Sequence, residues 1–185
     1  LEVLTPFKKE YEVKGYGFSG NAAKDGIEAE LVYVDSFDEI NLRSVKGKIV
    51  LFSGGINADG FEKLIKAGAL ALVGMAGDFR DKKGSYDLDE RMLRPSMTEK
   101  GVLPAVCVHI NDAKSMIEKG AKIVRLTLEQ EEGEADSRNV IAEIKGAEFP
   151  DEVIVYTAHY DSVPFSHGMF DNGTGTVTIL EIYRH

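Results

Sequence analysis

Tryptophan is absent and cysteine occurs once, as Cys107. A single cysteine excludes an intrachain disulfide and any cysteine-rich zinc knuckle. Basic residues are in deficit: 22 Lys and Arg stand against 31 Asp and Glu, a formal net charge of −9. So acidic a chain lacks the basic footprint that nucleic acid or an anionic membrane surface requires. No apolar run approaches the ~20 residues of a membrane span, and no signal-peptide pattern opens the chain. Because the first residue is Leu1 and not methionine, that last absence leaves the compartment open. What is present, over 185 residues, is 43% apolar and 29% charged. That composition suits a globular chain and not a disordered one. The length allows one domain, or a small domain with part of another, and a core that needs no disulfide staples.

Two copies of a strand–helix–strand rhythm fill the first two thirds. The run Ile27 to Val34 is rich in β-formers, and Lys48-Ile49-Val50-Leu51-Phe52 reads as a buried strand closed by Ser53-Gly54-Gly55. Phe61, Leu64, Ile65 and Gly68 share one helical face, and Ala69 to Val73 forms the next strand. The second copy has a strand at Pro104 to Ile110, a helix marked by Ala113, Met116, Ile117 and Gly120, and a strand at Ile123 to Leu128. Between the copies, Gly77 to Val102 has 12 charged residues out of 26, which predicts a mobile surface loop.

Residues 129–136 carry five acids in eight positions and predict a solvated linker. Beyond it, Asn139 to Ile144 and Val153 to Thr157 read as strands, and Thr174 to Tyr183 as a helix. A strand leaving the core at Thr157 places His159 and Asp161 at its C-terminal end, where open α/β sheets bind ligands. Alternation puts both side chains on one side. An imidazole there can ligate a metal through one nitrogen while the carboxylate holds the other, fixing the tautomer. Ten residues on, Asp171 stands in a Gly-rich turn, Asp171-Asn172-Gly173-Thr174-Gly175, that opens a helix. A carboxylate so placed can bridge two cations.

Residues 137–185, from Ser-Arg-Asn-Val-Ile-Ala-Glu-Ile-Lys-Gly through Ala-His-Tyr-Asp-Ser-Val-Pro to Phe-Asp-Asn-Gly-Thr-Gly, resemble the start of the catalytic domain of two-zinc aminopeptidases. Residues 20–128 resemble the protease-associated domain that many members carry as an insertion. The likeness there rests on Val45 to Leu51, the Phe61 to Gly68 helix and Pro104-Ala105-Val106. The resemblance implies an α/β fold: a β-rich protease-associated domain, then the first strands and helix of an incomplete zinc-peptidase domain. Residues 1–19 are expected to pack with the peptidase part. By the same resemblance His159 ligates one zinc, Asp171 bridges two, Asp161 orients His159, and Asn172 and Gly173 shape the turn. The general-base Glu and the remaining ligands are expected past His185, so the isolated chain is expected to be inactive. Substrates would be peptides, and members with this insertion are often secreted or held at the cell envelope.

Metallo-carboxypeptidases and deacylases of a related family share His-x-Asp near Val-Pro, but there the bridging carboxylate usually precedes Lys-Gly. The Asp-Asn-Gly-Thr-Gly turn favours aminopeptidases. The rival reading is a protein-interaction or peptide-binding module without catalysis. His167 reads as an exposed loop residue, His109 as a packed one and Cys107 as a small buried hydrophobe. Gly54-Gly55 lacks the Lys-Ser or Lys-Thr of a phosphate loop.

Overall fold

A computed structural model describes residues 1–82, 88, 91–163 and 166–184. The chain divides into two compact units, Leu1–Glu132 and Gly133–His185. In chain order the first contains β1 (Glu2–Thr5), β2 (Lys9–Glu10), β3 (Val13–Gly17), β4 (Ile27–Val34), α1 (Glu39–Leu42), β5 (Ile49–Phe52) and α2 (Ala58–Lys66). There follow β6 (Ala71–Ala76), β7 (Arg91–Met92), α3 (Pro95–Thr98), β8 (Ala105–His109), α4 (Ile110–Glu118) and β9 (Ile123–Leu126). The fold class is the expected mixed α/β.

All four residues of β5 are buried, as a strand covered on both faces requires. It lies between β4 and β6, and the parallel set β4-β5-β6-β8 forms the middle of one sheet ordered β2-β1-β9-β4-β5-β6-β8-β3-β7. Alternation divides the core in two. On one face Val50, Phe52, Leu72 and Cys107 meet Phe61 and Leu64 of α2 and Met97 of α3. On the other Ile49, Leu51, Val73 and Val106 meet Ala113 and Met116 of α4. Asn57 starts α2 by accepting from the Gly60 amide at 2.8 Å. His109 starts α4: its Nδ1 accepts from the Asn111 amide at 3.2 Å, while Nε2 lies 2.9 Å from Asp81 Oδ2. The packed reading of His109 and the buried reading of Cys107 both hold.

Three expectations need correction. Residues 1–19, expected with the peptidase part, supply strands to this sheet: β1 pairs with β9 and β3 with β8, and Val3 and Tyr16 enter the two core faces. The pairing edges of β8 and β9 outweigh a local alternation too weak to show their partner. The stretch 77–102, expected to be a mobile loop, holds β7 and α3, and its Leu88, Leu93 and Met97 are buried in the α2 face of the core. Asp78, Arg80, Lys82, Arg94, Glu99 and Lys100 are exposed around those anchors; residues 83–87 and 89–90 lie outside the described set. In the second unit neither 139–144 nor 153–157 is a strand. A strand exists only with a hydrogen-bonded neighbour, and among the described residues these segments have none. Val140, Ile141, Val153, Ile154 and Val155 are accordingly exposed.

The division between the units also falls inside the expected linker. Gln130 is stitched to the first unit, its amide donating to Asn21 Oδ1 at 2.8 Å and its side-chain nitrogen to Ser19 Oγ at 2.9 Å.

Candidate functional site

In the second unit, 157–163 has no regular secondary structure, and a kinked turn, Met169–Gly173, leads into α5 (Thr174–Arg184). The turn is closed from within. Gly168, at φ 61°, lies in the left-handed region, and a Cβ there would come within 2.8 Å of Ser162 Cβ. Its amide donates to Ser166 Oγ at 3.1 Å, and its carbonyl accepts from the Gly173 amide at 2.8 Å. The Asp171–Asn172 peptide bond is cis. A Cβ on Gly175 would stand 2.3 Å from Asn172 Oδ1, so position 175 excludes any side chain while Asn172 keeps its place. Asn172 and Gly173 therefore do sit in the turn that presents Asp171.

The structure brings His159, Asp161 and Asp171 together. His159 Nδ1 is 3.0 Å from Asp161 Oδ1 and 3.2 Å from the Asp161 carbonyl oxygen; Nε2 is 2.9 Å from Asp171 Oδ1. The cluster is open: the side chains of His159, Asp161 and Asp171 are 52%, 85% and 80% exposed. His167 is exposed, as expected.

Both ring nitrogens face oxygen acceptors. A neutral imidazole can donate from only one, so the arrangement favours the imidazolium. The His159 pKa is accordingly raised above 6.5, chiefly by the Asp161 carbonyl, then by the Asp161 and Asp171 carboxylates, against some desolvation. A raised pKa means the interaction is complete below the ordinary value and is lost as pH rises through the folded one. Asp171→Asn is expected to bring the titration of His159 down toward 6.5, read from its imidazole proton resonances against pH. Chemically, the Nε2 proton is the exchangeable one: a cation can replace it while Nδ1–H stays on Asp161. Among the described residues no group of three or more His, Cys, Asp or Glu side chains could hold a metal ion. His159 and Asp171 offer two donors.

Two contacts had no signal in the sequence. Tyr160 Oη donates to the Arg138 carbonyl at 2.8 Å, and Thr176 Oγ1 reaches the His159 carbonyl at 3.4 Å. Neither residue type nor spacing announces a hydroxyl's distant acceptor.

A model of peptidase family M28 matches residues 139–185, the stretch that contains this cluster. Residues 139–185 are thus similar to that family. Carboxypeptidase Q of Mus musculus is 28% identical over 187 residues, covering 94% of this chain and 39% of that protein. Aminopeptidase YwaD of Bacillus subtilis (strain 168) is 33% identical over 147 residues, covering 75% of this chain and 29% of that protein. The chain thus spans well under half the length of these relatives. Among solved structures, a peptidase M28 precursor from Shewanella amazonensis SB2B superposes with a TM-score of 0.66 at 24% identity, over 93% of this chain and 43% of that one. BSAP, a zinc aminopeptidase from Bacillus subtilis, superposes at 0.65 and 23%, over 95% and 42%. At these identities the likeness shows the fold alone, an α/β fold shared with those two proteins. No helix among the described residues is long and apolar enough to cross a membrane.

Proposed function

We propose that this chain is part of a zinc-dependent exopeptidase of family M28 that removes N-terminal residues from peptides. The observation that carries the reading is His159, gripped at Nδ1 by Asp161 while Nε2 faces the Asp171 carboxylate. Nitrogen and carboxylate oxygen are zinc donors, and a carboxylate on the far ring nitrogen is the usual support of a ligating histidine. The donor set fits one side of a zinc site. His159 and Asp171 would be ligands, with Asp171 able to serve a second ion through its other oxygen. Asp161 would hold the ring in the tautomer that leaves Nε2 for the metal. Bound zinc supplies Lewis-acid polarisation of a carbonyl and a water of lowered pKa.

Two donors make half of a tetrahedral shell, so the 185 residues alone would bind zinc weakly and hydrolyse nothing. The compact unit Leu1–Glu132 would act as a protease-associated module that governs access of the peptide. Aminopeptidase YwaD and the Asp-Asn-Gly-Thr-Gly turn support action at the N-terminus; carboxypeptidase Q supports only the broader exopeptidase reading.

The test offers free-amino aminoacyl-p-nitroanilides and N-blocked dipeptides to a protein in which this chain is joined to the rest of an M28 domain. Release from the anilides, lost on chelation and regained with zinc, is the expected result. Cleavage of the blocked dipeptides alone would reverse the end preference, and no cleavage with zinc bound would end the peptidase reading.

A further inference from the structure

Thr174, Thr176 and Thr178 stand at alternate positions in the first turns of α5. Each hydroxyl returns to the carbonyl four residues back: Thr174 to Phe170 at 2.9 Å, Thr176 to Asn172 at 3.3 Å and Thr178 to Thr174 at 2.8 Å. That is ordinary behaviour for threonine in a helix. Thr176 does more. Its Oγ1 also lies 3.4 Å from the carbonyl oxygen of His159, in a different segment of the unit. A hydroxyl has one proton to give, so the two acceptors share it. Both distances are accordingly longer than those of Thr174 and Thr178.

We propose that Thr176 is a positioning residue for the metal-binding pair, its hydroxyl holding the main chain of His159 against the turn that carries Asp171. The inference rests on the assignment of His159 and Asp171 as zinc ligands. Its force comes from which contacts outlast binding. The two segments meet through His159 Nε2 and Asp171 Oδ1, 2.9 Å apart, and these are the two atoms a cation takes for itself. The carbonyls of His159 and Asn172 are not spent in that way. The bond through Thr176 therefore remains when the direct ion pair is gone. It acts beside Asp161, which fixes the ring's rotation and leaves open where the residue as a whole stands relative to Asp171.

The experiment uses the 185-residue chain with Thr176→Val, Thr176→Ser and Thr178→Val. Imidazole proton resonances of His159 are recorded at one pH without metal and then through a zinc titration. Thr176→Val is expected to displace those resonances and to weaken zinc binding about tenfold or more, as loss of a supporting partner does. Thr176→Ser, which keeps the hydroxyl, should restore both. Thr178→Val removes a bond of the same local type and should change neither. Thr176→Ala replaces the valine variant if the latter does not fold. Coincident His159 spectra for Thr176→Val and the parent would overturn the proposal, as would an equal displacement by Thr178→Val. Failure of the ligand assignment has a different mark: zinc would leave the His159 resonances unmoved, whereas the valine–serine contrast in the metal-free chain would persist.

Discussion

Alanine at position 77 is expected to lower the unfolding free energy of the first unit by about 2–5 kcal/mol, the sum of a left-handed backbone penalty and an overpacking penalty. Gly77 has φ 81°, and a Cβ there would lie 2.4 Å from His109 Nε2 and 3.0 Å from Asp81 Oδ2. The ring cannot swing aside. His109 is buried at the end of β8, its Nδ1 caps α4 and its Nε2 faces Asp81. Relieving the clash therefore disturbs a helix start and the contact of buried His109 with the exposed Asp81 carboxylate together. Gly47→Ala is the control. Gly47 has φ 71°, and a Cβ there would meet nothing within 4 Å, so only the backbone penalty of about 1–2 kcal/mol is expected. Urea unfolding of both variants separates the two contributions. Equal losses would show that the contact with His109 carries no weight.

Loss of Asp171 or His159 is expected to be the most damaging change to the second unit's chemistry. Asp171→Asn and His159→Gln each remove a proposed donor, so zinc affinity should fall by more than the roughly 10–100-fold typical of a supporting residue. Asp161→Asn should fall within about that 10–100-fold range, because its carboxylate touches Nδ1 and not the nitrogen proposed to bind the metal. Competition with a chromophoric chelator, in a protein where this chain is joined to the rest of an M28 domain, ranks the three. In a complete enzyme the same order is expected for kcat/KM, with Asp171→Asn leaving the folded helix content unchanged in circular dichroism. If Asp161→Asn proved the most harmful, the roles of the two carboxylates would have to be exchanged.

The cluster was more legible in the sequence than the sheet around it. His159, Asp161 and Asp171 lie within thirteen residues, and their meeting depends on local chain direction and one Gly-rich turn. The strand β5 and the helix α2 were equally plain, the one from an unbroken apolar run and the other from the spacing of Phe61, Leu64 and Ile65. What escaped notice is long-range. That β9 returns to lie between β1 and β4, or that β3 borders β8, depends on which edges are vacant once the middle of the sheet has formed. Leu88, Leu93 and Met97 were hidden because they are sparse among charges, and three buried side chains suffice to hold a polar stretch down. At 139–144 and 153–157 the reading failed for another reason: β-forming residues express a preference, and pairing needs a neighbour.

The strands contributed by the first nineteen residues bear on where this protein can be cut. A cut at residue 20, where the resemblance to a protease-associated domain begins, would take β1 from β9 and β3 from β8. Both flanks of the remaining sheet would then offer bare amide and carbonyl rows, the template for sheet-to-sheet aggregation. Residues 1–132, the first compact unit, keep both of those pairings.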